Sequence, residues 1–158
     1  MNKKTFEWHG RKYYLVGVDK YGDPVYLEEA RWDCNWYWGL GYLETFTNKK
    51  NPKLSRDISS HTHFDTEVLN ARRTGKGMFE DFMDKFPETP LNRQEIWQLL
   101  ELMSAAYSCR RYSDMLYTGG AHITENPVKM IIQNEEEYDR INKKVIPAIM
   151  DKVYTLLS

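Results

Sequence analysis

Trp32-Asp-Cys-Asn-Trp-Tyr-Trp-Gly-Leu-Gly-Tyr-Leu-Glu-Thr-Phe46 holds three of the chain's five tryptophans. Read with period two, Trp32, Cys34, Trp36, Trp38, Leu40 and Tyr42 share one parity. Asp33, Asn35, Tyr37, Gly39 and Gly41 take the other, the pattern of a half-buried strand. A helical reading aligns Trp32, Trp36, Leu40 and Leu43, but Gly39 and Gly41 would each cost about 1 kcal/mol relative to Ala inside a helix. The strand is therefore preferred. Its glycines leave the opposite face bare, so a backbone, a ring or a ligand can approach closely there.

Upstream of this stretch, Thr5–Trp8, Lys12–Asp19 and Val25–Glu28 read as short strands, with turn residues at His9-Gly10 and Tyr21-Gly-Asp-Pro24 between them. The spacing predicts an antiparallel meander. Downstream, residues 47–66 are polar and turn-prone and read as a long connection without secondary structure of its own. Over residues 45–78, Lys49, Lys50, Lys53, Arg56, Arg72, Arg73 and Lys76 outnumber Asp57, Asp65 and Glu67, a local basic excess. An anionic small molecule, a phosphate backbone or an acidic partner face would complement it.

From Met78 the period becomes helical. Phe79, Phe82, Met83 and Phe86 share one side of a short helix that Pro87 and Pro90 end. Asn92 with Glu95 predicts a capping box, opening a helix whose core stripe is Ile96, Leu99, Leu100, Met103 and Tyr107. Asn126-Pro127 reads as the start of a short helix through Ile132. Asn134 precedes three glutamates at the start of the last helix, where Pro147 predicts a kink. The expected fold is a single α+β domain over residues 1–158. Residues 1–46 form an antiparallel β-sheet, 47–77 a basic polar loop region, and 78–158 three to four α-helices packed on the sheet's Trp-rich face.

At 158 residues the chain is long enough to bury one core. A net charge of -1 and a pI near 6.4 argue against a dedicated duplex-DNA binder. No run of apolar residues is long enough to span a bilayer, and the amino terminus lacks the apolar stretch of a signal peptide. The expectation is a cytoplasmic protein without a membrane partner, in which Cys34 and Cys109 are reduced thiols.

Ser60-His-Thr-His-Phe-Asp-Thr66 is the sharpest short motif. On an extended segment His61 and His63 project to one side and Asp65 can join them, a donor set suited to a divalent transition metal such as zinc or manganese. The run resembles the His-x-His-x-Asp-His signature of the metallo-β-lactamase superfamily, in which such residues hold metals that activate water. Thr66 stands where that signature has its last histidine, and the resemblance covers seven residues. His122, in His122-Ile-Thr124, is similar to the His-x-Thr element that two-histidine phosphoesterases use in pairs, and a second copy is missing. In that second family one histidine acts as acid and the other as base on a phosphate ester. The first resemblance implies a metal-dependent hydrolase or phosphodiesterase with His61, His63 and Asp65 as metal ligands, and His122 is the downstream residue that could join them. Paired carboxylates such as Glu28-Glu29 and Glu80-Asp81 read as solvated faces.

The expectation that weighs more is a non-catalytic binding or inhibitory protein, without a cofactor, that occupies a protein partner or sequesters a small anionic ligand. A small accessory or phage-type anti-defence protein would have this character. Its contact residues would be Trp36, Trp38 and Tyr42 with Lys49, Lys50, Lys53 and Arg56, since aromatic and arginine side chains make strong anchors. Single-stranded nucleic acid, stacked on the aromatic strand, ranks below both.

Overall fold

The computed structural model describes residues 1–29, 40, 42–46, 58–62, 64, 68–69, 75–116 and 134–158. Five strands, β1 (Thr5–Trp8), β2 (Arg11–Val18), β3 (Pro24–Glu28), β4 (Leu43–Phe46) and β5 (Ile58–Thr62), form one sheet in sequence order. Every neighbouring pair is antiparallel, which makes the sheet a meander.

Local chemistry accounts for the turns. His9 and Gly10 both have positive φ, 49° and 71°. Such a two-residue turn matches the right-handed twist of the strands it joins. Between β2 and β3 the Asp19 carboxylate accepts the N–H groups of Tyr21 (3.0 Å) and Asp23 (2.9 Å), closing the turn from inside.

The helices are α1 (Met78–Lys85), α2 (Arg93–Asp114), α3 (Glu135–Arg140) and α4 (Ile146–Leu157), with a π-helical turn at Ile141–Val145 between the last two. The expected capping box opens α2: Glu95 N–H donates to Asn92 Oδ1 (2.9 Å) and Asn92 N–H to Glu95 Oε1 (3.1 Å). Pro147 has no N–H to continue the α-helical ladder, and the chain absorbs this in the wide turn before it. There Ile146 N–H bonds Ile141 O, five residues back. Tyr138 O accepts both the Ile141 N–H and Asn142 Nδ2 (2.9 Å).

The helices cover one face of the sheet. Tyr14, Val16, Val25, Leu27 and Leu43 from the strands pack with Phe82, Phe86, Leu99, Leu100, Met103, Met150 and Val153 from the helices. Tyr14 and Tyr154 stack with centroids 4.8 Å apart, fixing α4 on β2. The segment after α1 lies on β2 as well: Val18 N–H bonds Glu88 O (2.8 Å) and Thr89 Oγ1 donates to Val16 O (2.7 Å). Gly17 allows that approach, because a Cβ there would lie 2.7 Å from Glu88 O. The opposite face is apolar too, with Phe6, Tyr13, Leu15 and Tyr26 buried together and Trp8 packed beside them.

An α+β domain with an antiparallel meander under carboxy-terminal helices is thus the observed architecture. Two expectations need correction in detail. Residues 58–62, read as part of a loop, form the edge strand β5. Of the Trp-rich stretch, only Leu43–Phe46 is strand among the described residues, and Leu40 lies in a helical turn. The period-two pattern is therefore interrupted at Leu40, and the β4 residue in the helix-facing core is Leu43, of the parity read as bare. The short helix expected at 127–132 lies outside the described residues.

Candidate functional site

Two groupings of side chains stand out beyond the helix-facing core. The first lies on the opposite face of the sheet. Strand alternation and register bring Arg11 and Tyr13 of β2, Tyr26 and Glu28 of β3, and Glu44 of β4 to that side. Glu28 and Glu44 are each only 2% exposed. Carboxylates this deep require partners, since unpaired buried charge is strongly unfavourable.

The partners are present. Arg11 Nε donates to Glu28 Oε1 (2.9 Å), and Arg11 Nη2 to the Glu29 carbonyl (2.6 Å). The Tyr13 hydroxyl hydrogen-bonds the Glu44 carboxylate. Burial pushes the Tyr13 phenol well above its ordinary pKa, and the negative charges of Glu44 and Glu28 push it further. Burial raises Tyr26 as well. Phe6 walls the cluster, stacked on Tyr13 at 5.1 Å and edge-on to Tyr26 at 4.8 Å. Chemically the group holds protons firmly on its phenols and pairs the Glu28 charge with Arg11. Glu28 and Asp81, both read as parts of solvated pairs, are in fact buried. The period-two pattern places Glu28 on a face but says nothing of whether that face meets water.

The second grouping is on the surface where α1 meets α2. Phe79 stacks nearly parallel on Trp97, with centroids 5.4 Å apart and planes 16° from parallel. The Arg93 guanidinium sits 4.5 Å from the Phe79 ring centroid, close enough for a cation–π contact. Arg93 and Trp97 are one helical turn apart on α2, so a single helix face presents both. Trp97 remains 40% exposed. Trp97 adjoins Ile96 but falls off the Ile96–Tyr107 stripe, and a large apolar residue off the stripe was the available signal for this patch.

Of the residues expected at a site, Trp36, Trp38, Lys49, Lys50, Lys53, Arg56, His63, Asp65 and His122 lie outside the described residues. Tyr42 is buried at the entry to β4, and its carbonyl accepts the Glu28 N–H (2.8 Å). His61 is in β5, where the register sets it opposite Glu44. Among the described residues no three His, Cys, Asp or Glu side chains are grouped as a metal site. None of their helices is long and apolar enough to cross a membrane. No protein-family model, curated protein or solved structure matches the chain.

Proposed function

We propose that this chain is a non-catalytic binding protein that acts by occupying a protein partner or by sequestering a small anionic ligand, in the manner of an accessory or anti-defence protein. The observation that carries the reading is the Arg93–Phe79–Trp97 patch. Phe79 stacks on Trp97 and carries the Arg93 guanidinium over its ring at the surface, so less side-chain freedom remains to be lost on binding. Tryptophan and arginine are the side chains most often found as interface anchors. The local basic excess around Lys49, Lys50, Lys53 and Arg56 supplies a second attractive element for an acidic counterpart.

The test is affinity capture from the native cell with three baits: the natural chain, Trp97→Ala with Arg93→Glu, and Lys49→Glu with Lys50→Glu and Lys53→Glu. Mass spectrometry would read both proteins and small molecules. A component enriched by the natural chain and depleted at least about tenfold by either variant supports the reading. An identical set for all three baits sinks it.

A second reading rests on the sequence motif His61-x-His63-x-Asp65 of a metal-dependent hydrolase, whose first residue pairs with Glu44 in the β4–β5 register. That reading requires near-stoichiometric zinc or manganese in the purified protein, lost on His61→Ala with His63→Ala.

A further inference from the structure

On the side of the helical layer away from the sheet, α2 and α4 enclose a shallow groove of about 480 Å³. Leu102 and Ala105 of α2 and Leu156 of α4 form its apolar part. Glu101 stands on the α2 wall, and Lys152 and Thr155 stand on the α4 wall. Glu101 and Lys152 are exposed, and neither has an ion-pair partner among the described residues. Ala105 is small, so a third helix can come close at that point, within the 8–10 Å typical of packed helices.

The distribution of charge selects the occupant. The α2 wall carries an acid and the α4 wall a base. A two-fold axis running along the groove lays α2 of one copy over α4 of the other. Glu101 of each copy then meets Lys152 of the other, giving two equivalent ion pairs, while the Leu102, Ala105 and Leu156 surfaces close on one another. A closed two-fold contact must be self-complementary in this way. The geometry points to a homodimer built on the α2–α4 groove, with four helices at its centre. This inference stands apart from the partner-binding reading, which rests on Trp97 and Arg93.

Sedimentation equilibrium on the full chain, from micromolar to near-millimolar concentration, tests it. The natural protein is expected to pass reversibly from monomer to a mass twice its 18.8 kDa. Glu101→Lys and Lys152→Glu, each placing like charges together twice per dimer, are expected to weaken association about tenfold or more. The double variant exchanges the charges and is expected to restore it. Ala105→Arg fills the groove from an exposed position and is expected to give a monomer with an unchanged thermal transition by circular dichroism. A natural chain that stays monomeric throughout overturns the proposal. So does a dimer that tolerates Ala105→Arg, or single reversals without effect. Groove occupation by a foreign helix on an otherwise monomeric chain likewise overturns it.

Discussion

The Tyr13 hydroxyl on β2 hydrogen-bonds the Glu44 carboxylate on β4, reaching across the intervening strand β3. This bond ties non-adjacent strands through side chains on the face of the sheet away from the helices. Tyr13→Phe keeps the ring that stacks on Phe6 and removes only the donor. A buried carboxylate losing one hydrogen bond costs about 1–3 kcal/mol. Urea unfolding at neutral pH should show a lower midpoint with an unchanged slope. An unchanged midpoint would mean the bond adds nothing.

The same burial sets the alkaline limit of stability. Tyr13 and Tyr26 have raised pKa values, and Tyr14 is pushed up to about 12 by burial, then by Glu29 and Asp151. Above the unfolded-state value of about 10, the unfolded chain has released phenolic protons that the folded chain still holds. Stability that is complete below that pH therefore falls as pH rises through the folded values. Each phenol contributes about 1.4 kcal/mol per pH unit to the slope. Urea midpoints between neutrality and strongly alkaline pH should be flat at first and then drop, more gently for Tyr13→Phe. A natural chain equally stable on both sides of the phenol range would contradict this.

Gly17→Ala should be among the costliest single-methyl changes in the chain. The added Cβ would lie 2.7 Å from Glu88 O and 2.8 Å from Phe86 Cβ, and the first of these is backbone. Either β2 or the segment after α1 must shift, straining the Val18–Glu88 bridge. Overpacking of this kind typically costs about 1–3 kcal/mol. The loss should appear in denaturant unfolding, with faster amide exchange at Val18, whose N–H bonds Glu88 O.

Asn92→Ala removes the side-chain acceptor that holds Glu95 N–H at the start of α2. The expected loss is about 1 kcal/mol, or roughly 2–4 °C in melting temperature for a chain of this size. Asn92→Asp keeps an acceptor at the positive end of the helix and should melt close to the natural protein. Equal losses for both substitutions would show that the cap is not what anchors this helix end.

Short-range chemistry made much of the fold legible in the sequence. The capping box at Asn92 and Glu95, the turn at His9-Gly10 and the core stripe from Ile96 to Tyr107 each involve residues within a few positions of one another. A residue's local conformation and the face it occupies follow from such spacing. What stands opposite that face does not. The strand at 58–62 gains its place by pairing with β4, although its own composition reads as a loop. Leu43, rather than its neighbour of the other parity, reaches the helix-facing core because the pairing sets it opposite Leu27, which faces the helices.

The candidate sites divide in the same way. The His61-x-His63-x-Asp65 motif and the basic excess after β4 are properties of neighbouring residues and are visible in the sequence. The Arg93–Phe79–Trp97 patch, the Tyr13–Glu44 bond and the opposed charges of the α2–α4 groove join elements distant along the chain. Only tertiary packing brings them together, because periodicity records the direction of a side chain and long-range contact decides its neighbour.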